Sequence, residues 1–199
     1  RDPQGFRPLC LGKTENGYVL SSESCALDAI KAEFIRHIDP GEMVIIDDSG
    51  VRSVIYAEPE KIDKKLCVFE YIYFARGDSH IDGQSVYQSR LNMGRELYNE
   101  TKYDADIVMS IPDSGTTAAL GYARASGIPF AEGLVKNRYS GRTFIKPNQE
   151  ERELAVRMKL NALPHIVGGK RIVLIDDSIV RGTTSGIIVK MLKEAGAKE

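Results

Sequence analysis

The pattern of apolar and polar positions in the first 57 residues predicts an α+β unit. Short apolar runs at residues 18–20, 43–46 and 51–56 have the length of strands, and the Asp-Asp-Ser-Gly sequence between the last two predicts a hairpin. Apolar residues recur at helical spacing over residues 25–37, which predicts one helix. We therefore expect antiparallel strands packed against a helix.

The pattern changes after the polar, charged residues 58–65, which are the best candidate for a domain junction. Continuous apolar runs at residues 107–111 and 172–175 are typical of strands buried on both faces of a parallel sheet. Stretches with helical spacing alternate with them, at residues 85–100, 118–125, 149–163 and 184–195. This order predicts an α/β fold, a parallel sheet with helices on both faces.

We accordingly assign residues 1–66 and 67–199 to two domains. In the second domain, residues 128–131 form a short strand candidate, whereas residues 133–147 lack the period of a strand or a helix. The aromatic-rich residues 67–79 are predicted to form a core segment under the sheet.

Composition narrows the class of protein. The 199 residues are 42% hydrophobic and 28% charged, which suffices for one large or two small cores. A formal net charge of -1 gives no basic field for nucleic acid or an anionic membrane, and no apolar run is long enough to span a bilayer. Three cysteines form no paired framework, so we expect a reducing cytoplasm. Because the chain starts at Arg1 without a methionine, we expect a fragment of a longer protein.

The most informative stretch covers residues 170–185. Its apolar strand delivers Asp176 and Asp177 to the carboxyl edge of the sheet, where open α/β folds bind ligands. Small and hydroxyl residues at 178–184 then open a helix, whose first N–H groups and positive dipole end can cradle a phosphate. Two acids beside such a loop indicate a ligand that offers hydroxyls or a divalent cation near its phosphate. The alternative is an ordinary capped helix.

Two further segments are candidates for anion binding. Residues 112–117, with Ser114 and Gly115, repeat the order of strand, small-residue loop and helix start, although many βα turns have this composition. Residues 133–147 concentrate basic side chains and contain Gly141, a possible hinge. Such a loop is usually only solvated; the alternative is a lid that closes over a polyphosphate. Its basic side chains are Lys136, Arg138, Arg142 and Lys146.

These segments carry a family resemblance. Residues 173–185, Val-Leu-Ile-Asp-Asp-Ser-Ile-Val-Arg-Gly-Thr-Thr-Ser, resemble the ribose-5-phosphate motif of type I phosphoribosyltransferases, in the wording of the glutamine phosphoribosylpyrophosphate amidotransferases. Residues 136–145 are similar to the flexible loop that closes over phosphoribosylpyrophosphate in that family. The resemblance covers essentially the whole chain and implies a type I phosphoribosyltransferase fold preceded by the C-terminal part of an N-terminal-nucleophile glutaminase domain.

The resemblance also implies roles for individual residues. The 5-phosphate is expected at the loop that follows the acidic pair, with ligands Ser178, Arg181, Gly182, Thr183 and Thr184. Asp176 and Asp177 would hold the ribose hydroxyls and Mg²⁺, with Ser114 also associated with Mg²⁺. Pyrophosphate would lie against Ser114, Gly115, Lys136, Arg138 and Arg142. Asp176, Asp177, Lys136 and Arg138 are the expected catalytic residues.

The first part of the chain resembles the later part of the glutaminase domain, on residues 1–9 and 21–28. The family's nucleophile is an N-terminal cysteine, which Arg1 does not match, and Cys10 and Cys25 are expected to be small buried residues instead. In the iron–sulfur subclass, the position of Cys67 ligates a [4Fe–4S] cluster. The other cluster ligands would lie beyond Glu199. Histidines at 37, 80 and 165 have no metal-binding spacing.

The implied activity is amidophosphoribosyl transfer, which forms 5-phosphoribosylamine from phosphoribosylpyrophosphate and glutamine-derived ammonia in the first step of de novo purine synthesis. The implied partners are glutamine and the purine nucleotides that act as feedback inhibitors. The resemblance also implies a homotetramer. One alternative is a regulator that only senses phosphoribosylpyrophosphate, but a sensor does not need a lid that excludes water. A generic nucleotide-binding module is the other, and the chain lacks its Gly-x-Gly-x-x-Gly and Walker sequences.

Overall fold

The computed structural model describes residues 1–137, 139 and 149–199, with the side chains of residues 149–153 excepted. The chain divides into two compact units, residues 1–89 and residues 90–199. The domain boundary predicted at residues 66 and 67 lies inside the first unit and stays a prediction. In the part of the chain that is described, no helix has the length and apolar composition needed to cross a bilayer.

The first unit is built from short antiparallel strands. Three of them pair in the order β2, β1, β3, with β1 at Cys10–Thr14, β2 at Gly17–Ser21 and β3 at Glu33–His37. A separate hairpin joins β4, Glu42–Asp47, to β5, Gly50–Ile55, and a small one joins β6, His80–Ile81, to β7, Gln84–Ser85. Asp47 pairs with Gly50 across a two-residue turn, which confirms the hairpin predicted at residues 47–50.

The helix predicted over residues 25–37 is wrong in its second half. Helix α1 covers Ser24–Ala29 only, and β3 follows. The helix ends because Lys31 takes a left-handed φ of 56°, and the Ala32 N–H then donates to the Leu27 carbonyl at 2.9 Å. This hydrogen bond and that from the Lys31 N–H to the Asp28 carbonyl form a Schellman motif. Glycine usually occupies the left-handed position, so a lysine there gave no stop signal.

The prediction that residues 67–79 form a core segment is also wrong. The segment forms a five-residue π-helical turn, Glu70–Phe74, after a 3₁₀ turn at Pro59–Lys61. Four apolar side chains of the segment are 42–56% exposed: Val68, Phe69, Tyr73 and Phe74. Of the apolar residues in this segment, only Ala75 belongs to the buried cluster with Ile81 and Val86, and only Tyr71 packs against that cluster.

The second unit holds a parallel strand pair. The strands described in this unit are β8, Ile107–Ser110; β9, Leu134–Lys136; β10, Leu160–Ala162; and β11, Ile172–Ile175. β8 and β11 run parallel, with Ile107 opposite Ile172 and Ser110 opposite Ile175. Phe130 adds a single parallel bridge to Val108 where a short strand was predicted at residues 128–131.

Among the described residues, five helices belong to or extend into this unit: α2, Val86–Glu100; α3, Thr116–Ser126; α4, Gln149–Lys159; α5, Pro164–Val167; and α6, Thr183–Glu194. The predictions for α2, α3 and α6 are confirmed to within two residues. The helix predicted at 149–163 ends at Lys159, because the next residues form β10 and pair antiparallel with β9. β9 itself lies in the stretch for which no regular structure was predicted.

Alternate residues of the parallel strands point to opposite faces. Met109 and Leu174 join a core cluster with Ile188 and Met191 of α6. Val108 joins a second cluster with Tyr122, which belongs to α3. The parallel sheet with helices on both faces is therefore confirmed, and the same arrangement explains why both strands are almost wholly apolar.

Candidate functional site

Two of the three segments predicted to bind anions, those that follow β8 and β11, leave the sheet at one edge. β8 and β11 are parallel neighbours, so both end on the same side, and the chain continues into residues 111–115 from one and into Asp176 from the other. The Ile111 N–H donates to the Ile175 carbonyl at 2.9 Å, just beyond the last pair of the ladder. Open α/β sheets bind their ligands at this carboxyl edge.

Gly115 allows close contact between the two segments. A Cβ atom built on it would lie 2.7 Å from the Ile175 carbonyl oxygen and 3.2 Å from the Asp176 Cα atom. The loop before it contains a cis peptide bond between Pro112 and Asp113. After it, α3 begins at Thr116, whose hydroxyl lies 3.1 Å from that of Ser110. Gly115 is buried and Ser114 is half-buried, and the approach of Gly115 to Asp176 brings the loop to the first residue of the acidic pair.

The acidic pair forms a hydrogen-bonded turn. The Asp177 N–H donates to Asp176 Oδ1 at 2.9 Å, and the Ser178 hydroxyl donates to Asp177 Oδ1 at 2.6 Å. Burial raises the pKa of Asp176 above its usual range, and the charge of Asp177 raises it further, although the hydrogen bond from the Asp177 N–H acts in the opposite direction. Two adjacent carboxylates in this environment favour a cation or hydroxyl donors as their ligand.

The loop after the acidic pair leads into a helix start. Gly182 has a left-handed φ of 71° and caps α6, and its carbonyl accepts hydrogen bonds from the Ser185 hydroxyl at 3.0 Å and the Gly186 N–H at 2.9 Å. The first N–H groups of a helix have no acceptor within the helix. Arg181 and Thr184 are exposed and Thr183 is half-buried. This geometry suits an anion at the positive end of α6.

Lys136 ends β9 and points to the loop that follows β8. Its Nζ atom lies 2.5 Å from Asp113 Oδ2. The next residue, Asn137, donates its N–H to the Lys159 carbonyl at 2.7 Å and its side-chain amide to the Met158 carbonyl at 3.1 Å. The predicted lid residues Arg138, Gly141, Arg142 and Lys146 lie outside the described residues. Asp113 was not predicted as a site residue. Its position, an acid inside a loop predicted to bind an anion, was a feature of the sequence that could have singled it out.

Scanning against protein-family models gives no match. An amidophosphoribosyltransferase of Archaeoglobus fulgidus is 57% identical over 199 residues, and one of Mycobacterium tuberculosis is 52% identical over 199 residues. The glutamine phosphoribosylpyrophosphate amidotransferase of B. subtilis, solved in complex with ADP and GMP, matches all of the chain with a TM-score of 0.91 and 52% identity. The chain belongs to the amidophosphoribosyltransferase family.

The family assignment confirms the resemblance and, with it, the type I phosphoribosyltransferase fold. The chain spans less than half the length of its amidophosphoribosyltransferase relatives: 43% of the Archaeoglobus fulgidus protein, 37% of the Mycobacterium tuberculosis protein and 43% of the B. subtilis chain. A further solved structure, described as the allosteric regulatory enzyme of purine biosynthesis, also has a TM-score of 0.91 at 52% identity.

Metal binding in this chain has two candidate places. Among the described side chains, those of residues 1–137, 139 and 154–199, no three or more His, Cys, Asp and Glu are grouped as a metal site. Mg²⁺ commonly takes one or two carboxylates together with substrate phosphates, and Asp176 and Asp177 fit that requirement. Cys67 is half-buried, its N–H donates to the Phe6 carbonyl at 3.1 Å, and one thiolate alone does not hold a four-iron cluster.

The other two cysteines are located as the sequence predicted. Cys10 and Cys25 are 1% and 5% exposed. Burial raises the pKa of both thiols, which disfavours the nucleophilic thiolate. Neither is therefore suited to replace the family's N-terminal cysteine.

Proposed function

We propose that this chain carries the phosphoribosyl-transfer site of an amidophosphoribosyltransferase, a pentosyltransferase. The reaction joins ammonia to the ribose of phosphoribosylpyrophosphate and releases pyrophosphate. The observation that carries the proposal is that the two candidate anion-binding loops follow parallel neighbouring strands, so that both begin at one edge of the sheet, where Gly115 packs against Asp176. A substrate with a phosphate at one end of its ribose and a pyrophosphate at the other matches that order.

The 5-phosphate is assigned to the start of α6. Backbone N–H groups of residues 182–184, the hydroxyls of Ser178, Thr183 and Thr184, and the Arg181 guanidinium supply the donors. The half-charge at the helix N-terminus favours the dianion without a buried side-chain cation. The left-handed Gly182 places the backbone so that the loop turns into the helix at this point.

The ribose and its Mg²⁺ are assigned to Asp176 and Asp177. Their oxygens accept hydrogen bonds from the ribose hydroxyls, and their negative charge favours the positive charge that develops on the ribose as the bond to pyrophosphate breaks. Mg²⁺, when bound here, would offset the negative charge of the departing pyrophosphate. Gly115 lies against Asp176, and Ser114 and Gly115 are assigned to the pyrophosphate and to the Mg²⁺ shell.

Basic residues of the predicted lid are assigned to complete the pyrophosphate-binding site. Lys136, at the end of β9, supplies positive charge beside the loop of residues 112–115. Arg138 and Arg142 are assigned to the same pyrophosphate from the family resemblance. Closure of such a lid excludes water, which would otherwise capture the activated ribose in place of ammonia. Ammonia is itself the nucleophile, so no protein nucleophile is required in this half.

The whole protein is proposed to couple this site to a glutaminase. Glutamine hydrolysis would supply the ammonia, purine nucleotides would inhibit, and the protein would act in the cytoplasm as a homotetramer in the first step of purine synthesis. The B. subtilis relative was solved with ADP and GMP, which supports nucleotide binding in the family. A [4Fe–4S] cluster held partly by Cys67 belongs to the same proposal for the longer protein.

The test is calorimetric titration of phosphoribosylpyrophosphate with Mg²⁺ into the chain and into its Asp176→Asn/Asp177→Asn variant. We expect binding that the double substitution abolishes. Asp104→Asn is the matched control, because Asp104 is an exposed carboxylate paired with Arg171 at the opposite end of β11. Binding that survives in the double variant, or its absence from folded wild-type chain, would contradict the assignment.

A further inference from the structure

The ion pair between Asp113 and Lys136 joins two elements of the proposed site that are distant in sequence. We propose that Asp113 is a positioning residue, which holds the Lys136 ammonium at the pyrophosphate position in the free protein and is displaced from it by the pyrophosphate group. This inference rests on the proposed function. It concerns a side chain that has no place among the ligands assigned above.

Both partners stand on anchored backbone. On one side, the Thr116 N–H donates to the Asp113 carbonyl at 3.3 Å, and Gly115 is packed against Ile175. On the other side, Lys136 lies opposite Leu160 in the pairing of β9 with β10. The Asn137 hydrogen bonds to the carbonyls of residues 158 and 159 extend that anchorage by one residue. The carboxylate and the ammonium are therefore kept near each other by the fold.

The pair is open to an incoming ligand. The Asp113 side chain is 77% exposed and that of Lys136 is 49% exposed, so neither partner is enclosed by protein. Exposed ion pairs are weak, and one partner can be exchanged at little cost. An ammonium is a compact charge with three donors, which a phosphate oxygen can accept as readily as a carboxylate oxygen can.

Asp113 must then oppose anion binding as well as orient the lysine. A pyrophosphate that takes the Lys136 ammonium leaves the Asp113 carboxylate unpaired beside a second anion. Pyrophosphate must break this ion pair in order to bind. The pair therefore lowers the affinity for pyrophosphate by the factor that corresponds to the free energy of its formation. For an exposed pair we expect that factor to be about two- to fivefold. A weaker hold on pyrophosphate favours release of this product.

The test is a double-mutant cycle measured by calorimetric titration of pyrophosphate with Mg²⁺ into the chain. Wild type is compared with Asp113→Asn, Lys136→Gln and the double variant. We expect Asp113→Asn to tighten binding about two- to fivefold when Lys136 is present, and by a clearly smaller factor when Lys136 is replaced, because only charge repulsion is then relieved. Asp104→Asn, which removes an exposed paired carboxylate elsewhere, should leave binding unchanged.

Two results would overturn the inference. Asp113→Asn could leave pyrophosphate binding unchanged or weaken it, or it could tighten binding equally with and without Lys136, in which case Asp113 acts by charge alone. If wild type binds phosphoribosylpyrophosphate in an Asp176-dependent manner and either result is found, only this inference fails. If no form of the chain binds phosphoribosylpyrophosphate or pyrophosphate, the proposed function fails with it.

The pairing can also be measured without a ligand. Acylation of the Lys136 amine, followed by mass spectrometry, should be faster in Asp113→Asn than in wild type, because the carboxylate no longer holds the ammonium. Lys13 of β1 lies in the first unit and provides an internal reference rate. Equal rates at Lys136 in the two proteins would show that the pair does not hold the lysine.

Discussion

The Ile175 carbonyl oxygen lies 2.7 Å from the place that a Cβ atom on Gly115 would occupy. This approach joins the end of β11 to the loop after β8, so the acidic pair and the proposed pyrophosphate loop are fixed relative to each other. The backbone of Gly115 has φ -73° and ψ -13°, which any residue can adopt. The close contact, rather than the conformation, is what requires glycine here.

Gly115→Ala should therefore impair both stability and the site. The added methyl must push the loop away from β11, and overpacking of this kind costs about 1–3 kcal/mol. We expect a lower urea midpoint and weaker phosphoribosylpyrophosphate binding. Gly186→Ala in α6 is the control, since its Cβ position has no described atom within 4 Å apart from its chain neighbours and the adjacent backbone of its own helix. If Gly115→Ala matches wild type in both measurements, the contact does not set the loop's position.

A pair of glycines elsewhere in the second unit allows helices α2 and α3 to cross in backbone contact. A Cβ atom on Gly94 of α2 would lie 1.8 Å from the Ala118 carbonyl oxygen, and one on Gly121 of α3 would lie 2.1 Å from that of Leu91. Gly94→Ala and Gly121→Ala should each destabilise the chain by about 3 kcal/mol or more, because the obstructing atoms are backbone. Urea unfolding measures the effect, and a loss below that of Gly115→Ala would argue against the crossing.

These glycines illustrate what the sequence could and could not predict. Continuous apolar runs predicted β8 and β11, because burial on both faces leaves a direct mark on composition. The acidic pair and the helix start after β11 were predicted because they are adjacent in sequence. Asp113 and Lys136 were not paired by prediction, since their contact depends on how β9 lies against the sheet edge. Gly94 and Gly121 lie within helical patterns that do not name the partner helix.

The raised pKa of Asp176 predicts a conflict between stability and function. Its cause is burial first, then the nearby charge of Asp177. An acid whose pKa is higher in the folded chain loses stability as the pH rises above the usual aspartate value, because folding then buries an ionised group. Asp176→Asn should therefore raise the free energy of unfolding at pH 7 while it weakens Mg²⁺-dependent substrate binding. Urea unfolding at pH 7 and pH 3 tests this, and the gain should vanish at the lower pH.

The opposite sign is expected for Glu42 in the first unit. Its carboxylate is 3% exposed and accepts hydrogen bonds from both Arg36 Nη atoms, at 2.5 and 2.8 Å. The Arg36 guanidinium lowers the pKa of Glu42 from 4.5 to about 2, with burial acting against it. A lowered acid pKa stabilises the fold above the unfolded-state value, and this stabilisation is lost as the pH falls from about 4.5 towards 2.

Glu42→Gln should accordingly destabilise the chain at pH 7 by up to about 3 kcal/mol. The difference from wild type should shrink between pH 4.5 and pH 2, which urea unfolding across that range would reveal. Asp47→Asn is the control, because Asp47 pairs with Arg52 at an exposed turn, where an ion pair contributes little to stability. A difference for Glu42→Gln that stays constant with pH would exclude the ion pair as its cause.

The end of α1 gives the final prediction, and it explains the error over residues 25–37. Phe34 and Ile35 follow the helix at spacings that also suit a helix, and the stop lies at Lys31, whose φ of 56° costs a non-glycine residue about 1–2 kcal/mol. Lys31→Gly should thus stabilise the chain by about 1 kcal/mol, after the added freedom of the unfolded glycine is counted.

The same substitution within a helix should act in the opposite direction. Lys190 is an exposed residue of α6, where a glycine is about 1 kcal/mol less favourable than a good helix former. Lys31→Gly should raise the urea midpoint and Lys190→Gly should lower it, although both remove one exposed lysine. Equal signs for the two variants would mean that the left-handed residue after α1 is not under strain, and that another interaction ends the helix.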